Sequence, residues 1–163
     1  MEAEVKEDKV IVEEGEELYE QGWYGNLEGK KLILDLVEAV LLMERAKIEL
    51  KDMDFKEFFH YCSKIDPRFT ARYAVYRDLR DRGLPVRTGF KGSDFRVYER
   101  GAKPKKQGKV KWIVFAEAED YPCEMEKLGK AIKLGKNIRA VALWAIVDND
   151  LDVTYYIINS ISP

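Results

Sequence analysis

The chain has 163 residues, 46% of them hydrophobic and 36% charged, which argues against disorder, and no apolar run approaches the ~18 positions of a membrane-spanning helix. The net charge of −2 conceals a division: residues 1–65 hold 9 basic against 17 acidic side chains, a balance of −8, while residues 66–163 hold 19 against 13, a balance of +6. The acidic opening lacks the basic flank and apolar stretch of an export signal, and Cys62 and Cys123 show no CxxC spacing, so a reduced compartment, the cytoplasm, is expected, with neither a disulfide framework nor a zinc site.

In chain order, Glu16 to Gly25 reads as a short helix stopped by Gly22 and followed by an aromatic turn. Lys31–Leu34 predicts a strand. Asp35 with Glu38 forms a capping box for a helix over Leu36–Lys47, and Asp54 with Glu57 repeats the signal for a helix through Phe55, Phe58, Phe59 and Cys62. These elements make a small α/β unit over residues 1–65. Asp66-Pro67 then predicts a helix start, with Phe69, Tyr73, Tyr76 and Leu79 at core-facing spacing and Gly83 past the end at Arg82. Leu84–Arg87 and Asp94–Tyr98 read as strands, Arg100–Gly108 as a Lys/Pro/Gly loop, and Val110–Ala116 as a buried strand. A helix is predicted over Glu124–Leu134 with Gly135 as its stop, followed by a hairpin of Ala140–Val147 and Asp152–Ile158. The order predicts a second α/β domain, mixed α+β with a mixed sheet, over residues 66–163.

The catalytic repertoire is short. His60, the only histidine, sits among Phe58, Phe59 and Tyr61, where a half-buried structural role is expected; without a second histidine there is no HExxH motif and no histidine cluster. G-x-S-x-G, Walker A and G-x-G-x-x-G motifs are absent, the cysteines have no identifiable activating base, and the acidic string Glu117, Glu119, Asp120 reads as a solvated loop rather than a metal site. The remaining signal is the basic segment 87–111, with Phe90, Phe95 and Tyr98 interleaved, a pattern suited to a phosphate backbone. Uneven solubilising charge explains the same cations equally well.

The runs Tyr76–Gly83, Gly89-Phe90-Lys91-Gly92-Ser93-Asp94-Phe95-Arg96-Val97-Tyr98, Lys111-Trp112-Ile113-Val114 and Ala145-Ile146-Val147-Asp148 resemble the catalytic-type domain of the archaeal tRNA-splicing endonucleases. Leu18-Tyr19, Gly22-Trp23-Tyr24-Gly25 and the stretch Leu32–Met43 resemble the same family's N-terminal domain. The resemblance implies a nuclease-like C-terminal domain that acts, within a multi-subunit assembly, on precursor RNA folded as a bulge-helix-bulge. It implies metal-independent attack by the neighbouring 2′-hydroxyl, leaving a 2′,3′-cyclic phosphate and a 5′-hydroxyl, with no cofactor. That chemistry needs a base, an acid and a cation beside the phosphorane, roles the family gives to a tyrosine, a histidine and a lysine.

By that resemblance Tyr98 holds the tyrosine position, Lys109 stands where the histidine belongs, and Val141 marks the approximate lysine position, with Arg139 close by. A lysine holds its proton too firmly at neutral pH to be an efficient donor, and loss of a well-placed acid costs ~10²- to 10⁴-fold. The active site is therefore expected to be degenerate. The chain is expected to be a structural subunit, not catalytic alone, paired with a catalytic chain as an α2β2 heterotetramer. Two alternatives stand beside this: an active nuclease using Tyr98 with Lys109 and Arg139, and a free-standing RNA-binding module.

Expected RNA contacts are Arg87, Lys91, Arg96, Arg100, Lys103, Lys105 and Lys106 in and beside the basic segment, and Lys133, Lys136 and Arg139 around a helix end. Expected subunit contacts are the acidic residues Glu117, Glu119, Asp120, Asp148 and Asp150, resembling in character the family's inserted acidic loop, and Tyr155, Tyr156 and Ile157 in a strand able to extend a partner's sheet. The same strand could equally be internal.

Overall fold

A computed structural model describes every residue except Lys91, which lies outside the described residues together with its expected RNA contact. The chain divides into two compact units, Met1–Thr70 with Lys103–Lys105, and Ala71–Ala102 with Lys106–Pro163.

The first unit contains β1 (Glu2–Lys6), β2 (Lys9–Val12), α1 (Glu16–Gly22), β3 (Asn26–Glu28), β4 (Lys31–Asp35), α2 (Leu36–Glu44), β5 (Glu49–Leu50) and α3 (Phe55–Ile65). Its sheet runs β3-β4-β2-β1-β5 and is antiparallel except between β1 and β5. Alternation places Val10, Val12, Leu32 and Leu34 on one buried face, where α2 supplies Val37, Val40 and Leu41. The acidic opening, unassigned from sequence, forms β1 because Ala3 and Val5 alternate with Glu2, Glu4 and Lys6. Both capping boxes form. At α2 the buried Glu38 carboxylate accepts the Asp35 N–H at 3.0 Å and also the Gly25 N–H at 2.6 Å, so one side chain caps the helix and fixes the aromatic turn. α2 ends at Glu44, short of Lys47, because Ala46 turns left-handed and the Lys47 N–H returns to the Leu42 carbonyl at 2.8 Å. Gly22 is needed for a close approach, since a Cβ there would lie 2.4 Å from the Tyr24 ring; Trp23 makes the left-handed turn itself.

The second unit contains α4 (Phe69–Asp81), β6 (Val86–Phe90), β7 (Ser93–Tyr98), β8 (Val110–Ala118), α5 (Met125–Ile138), β9 (Val141–Val147) and β10 (Val153–Ile158). Its sheet runs β10-β9-β8-β7-β6; only β8 and β9 are parallel, and α5 supplies the crossover a parallel pair requires. Phe95 and Val114, paired across β7 and β8, face α4, with the Tyr76 and Phe95 rings 5.5 Å apart. Ile113, Phe115 and Trp144 face the other way, onto Ala131 and Leu128 of α5, and Phe115 stacks on its cross-strand partner Trp144 at 5.3 Å. Several boundaries differ from the sequence reading, three of them for clear physical reasons. α4 starts at Phe69, after a turn in which the Asp66 carboxylate accepts the Arg68 N–H at 2.9 Å. β6 starts at Val86, since Pro85 has no N–H to give the ladder. α5 runs on to Ile138: Gly135 is an interior residue whose Cβ would come 2.8 Å from the Ala140 carbonyl, and Arg139 makes the left-handed stop.

Candidate active site and RNA-contact surface

The topology of the second unit collects three distant segments at one end of its sheet. β7 runs antiparallel to β8, and β8 parallel to β9, so the last residue of β7 and the first residues of β8 and β9 share an end. Tyr98 pairs with Val110, and Trp112 pairs with Val141. Lys109 immediately precedes β8, and Arg139 precedes β9 by two positions. The three positions singled out from sequence are therefore brought together.

Their surroundings differ sharply. Tyr98 is 5% exposed and its N–H donates to the Pro85 carbonyl at 3.0 Å. Lys109 and Arg139 are exposed, and Val141 is 42% exposed with no polar atom on its side chain. A bulge between Val97 and Tyr98 leaves Lys111 without a ladder partner; its ammonium lies 4.4 Å from the Trp112 ring centre and 3.7 Å from the Glu99 carboxylate. This end of the sheet offers a phenol and cations that attract phosphate. The only histidine, His60, lies on α3 in the first unit, where it is exposed rather than half-buried, because the inward positions of that helix are Phe58 and Cys62.

The expected RNA-contact residues occupy varied settings. Arg87 is buried on β6, and the half-buried Arg96 lies with its guanidinium 4.8 Å from the Phe90 ring centre. Arg100 donates to the Arg82 carbonyl at 3.0 Å. Lys103, Lys105 and Lys106 are exposed, the first two within the first unit. On α5, Lys133 and Lys136 are exposed, and Lys136 bonds the Ser160 hydroxyl. Sequence reading missed the Arg72–Asp94 pair at 2.9 Å; Asp94 also accepts the Ala116 N–H at 2.8 Å and so pins β7 to β8.

Of the acidic residues, Glu117 is 5% exposed within β8 and ion-paired to Lys127, so only Glu119 and Asp120 of that stretch lie in the exposed loop. Asp148 and Asp150 belong to the β9–β10 turn, where one Asp148 oxygen accepts the N–H groups of Asp150 and Asp152 at 2.9 and 3.0 Å. Asp148, Asp150 and Asp152 are spaced to hold an ion, yet their hydrogen bonds are those of a tight turn. Tyr155 donates its hydroxyl to Asp78 at 2.6 Å, under an Arg82 guanidinium 5.6 Å from its ring centre. Burial, reinforced by the Asp78 carboxylate, raises its phenol above the ordinary range. Tyr156 and Ile157 are exposed on β10, which among the described residues pairs only with β9 and leaves its outer edge open.

Models of one family match both parts of the chain: the tRNA intron endonuclease N-terminal domain over residues 1–59, and the catalytic C-terminal domain over residues 69–155. The chain belongs to the tRNA intron endonuclease family. It is 38% identical over 162 residues to a tRNA-splicing endonuclease of Methanococcoides burtonii, covering 96% of this chain but 45% of that relative. It is 37% identical over 145 residues to the tRNA-splicing endonuclease of Thermococcus onnurineus, covering 86% of this chain and 82% of the relative, and 38% identical over 144 residues to that of Thermococcus kodakarensis, covering 85% and 83%. Among the described residues no helix is long and apolar enough to cross a membrane.

Proposed function

We propose that this chain is the structural, RNA-contacting subunit of a tRNA-splicing endonuclease, and that a partner subunit carries the scission. The observation that carries the reading is the sheet end that Tyr98, Lys109 and Val141 share. Attack of a 2′-hydroxyl on the adjacent phosphorus forms the new O–P bond as the bond to the 5′-oxygen breaks; one proton leaves the nucleophile and one reaches the leaving oxygen. A phenol at Tyr98 suits the first transfer. Lys109 is a poor donor for the second, and an aliphatic Val141 offers nothing to the crowded phosphorane. Two of three roles are unfilled, while the strands that frame them are intact.

On this reading residues 1–65 and 66–163 act as the two domains of a cytoplasmic protein that pairs with a catalytic chain as α2β2. The open edge of β10, with Tyr156 and Ile157 exposed, supports addition of a partner strand, and the exposed acids Glu119, Asp120 and Asp150, with the half-buried Asp148, support charge-selective docking. The test is cleavage of a bulge-helix-bulge RNA. The purified chain alone should be inactive and become part of an active complex with its catalytic partner; equal rates for the chain alone and the complex would overturn the reading. Arg139, two positions before β9 at the same sheet end, favours a second reading in which this chain cuts RNA with Tyr98 and Lys109. Tyr98→Phe separates the two: cleavage by the mixed complex should be unchanged if the partner does the chemistry, and a loss of ~10²-fold or more would support the second.

A further inference from the structure

Along β7 the single step from Val97 to Tyr98 is matched on β8 by two steps, from Trp112 to Val110. Lys111 is the extra residue of that bulge, a device by which a strand re-aims a side chain out of its normal alternation. Its ammonium lies 4.4 Å from the centre of the Trp112 ring, whose negative face attracts a cation without neutralising it. Trp112 is the cross-strand partner of Val141 on β9, so bulge and ring together hold a positive charge against the direct neighbour of that aliphatic position. The Glu99 carboxylate, just past the end of β7, stands 3.7 Å from the ammonium with 70% of its side chain exposed, and such a solvent-screened pair holds weakly. At that length the pair is an electrostatic contact that leaves the three ammonium N–H donors to be shared with another acceptor. The Lys111 side chain keeps 34% of its surface open, and a lysine buries its stem before its charged head.

We infer that Lys111 binds one backbone phosphate of the RNA at this sheet end, and that Glu99 is the counter-ion it exchanges for that phosphate. A phosphate brings a full charge and several acceptor oxygens, so it engages donors that Glu99 only faces. A lysine meets phosphate as a point charge, and seating on Trp112 reduces the rotamer freedom that it loses on binding. Lys111 thereby grips the backbone next to a position, Val141, that has no polar side-chain atom to do so. With Lys109 a poor proton donor, the phosphate is held and not cut. The inference rests on the RNA-contacting reading and adds to it a defined contact and a competing group.

The experiment measures binding of the full-length chain to a synthetic bulge-helix-bulge RNA across a series of KCl concentrations. Lys111→Gln should reduce the slope of log Kd against log [KCl] by ~0.7–0.9, the share of one neutralised phosphate, and Lys111→Arg should keep the wild-type slope. Glu99→Gln should tighten binding by about 1.4- to 5-fold, the range of an exposed ion pair, and this gain should vanish when Lys111→Gln is also present. Lys111→Met, which keeps an apolar stem beside Trp112, replaces Lys111→Gln in both measurements if the latter does not fold. A slope and affinity equal to wild type in the folded Lys111 variant would overturn the contact and leave the RNA-contacting reading in place. A Glu99→Gln gain of the same size with and without the Lys111 ammonium would show general repulsion of phosphate by Glu99 and overturn the exchange. Failure of the wild-type chain to bind RNA would overturn the RNA-contacting reading and the contact with it.

Discussion

Cys62 and Cys123 show how far local environment separates identical side chains. Cys62 is fully buried on α3, and desolvation pushes its thiol up to about 12, whereas Cys123 is exposed. Iodoacetamide at pH 8.5 should therefore label one thiol in the native protein, Cys123, and the second only after denaturation; two equivalents in the native state would contradict the packing of α3. The sign of the linkage follows. A folded-state value above the ordinary thiol value of ~8.5 means the protonated form is favoured by folding, so this contribution is complete below ~8.5 and is lost as pH rises toward 12. An inert Cys62 was expected from sequence, where no activating base was identifiable, and its burial on α3 agrees. The exposure of His60 was not, because it depends on which side of α3 is covered, and a run of Phe58, Phe59, His60 and Tyr61 gives every side of the helix an aromatic candidate.

At the scale of elements, β10 is held by more than its ladder. The Tyr155 hydroxyl, bonded to Asp78 77 residues earlier in the chain, ties the edge strand to α4, and Arg82 bonds the same carboxylate at 2.9 Å. Tyr155→Phe should cost about 1.5–3 kcal/mol, the range of a hydrogen bond to a charged group, and should raise hydrogen exchange in β10 ahead of β8. Uniform loss of protection, or none, would show that this bond does not fix the edge. Because the Tyr155 phenol is raised in the folded state, its share of stability holds below ~pH 10 and declines as pH rises beyond it. Sequence patterns identified the longer elements where apolar period and caps agreed, as at Asp54 with Glu57. They misplaced the end of α5 because a glycine near a helix end reads as a stop, while Gly135 is required by the approach of Ala140. They passed over β1, β2, β3 and β5, strands of two to five residues, too short to display a clear alternation.

For the whole molecule, the decisive quantity is assembly. Ile157, 73% exposed on the open edge strand, should contribute to association without supporting the fold of its own chain. Ile157→Lys should leave the melting temperature of the isolated chain within about 2 °C while abolishing concentration-dependent assembly in sedimentation; a dimer that persists would move the interface away from β10. The gathering of Tyr98, Lys109 and Val141 was legible only through resemblance, since positions so far apart in sequence converge through sheet order, which no local pattern encodes.

The burial of Tyr98 bears on what its presence means. A tyrosine sealed in the interior contributes packing whether or not it takes part in chemistry, whereas Lys109 and Val141 stand on the rim, where exchanging one side chain for another hardly disturbs folding. On the proposed reading, cutting ability drains from such a scaffold through its solvent-facing corners while the interior stays intact.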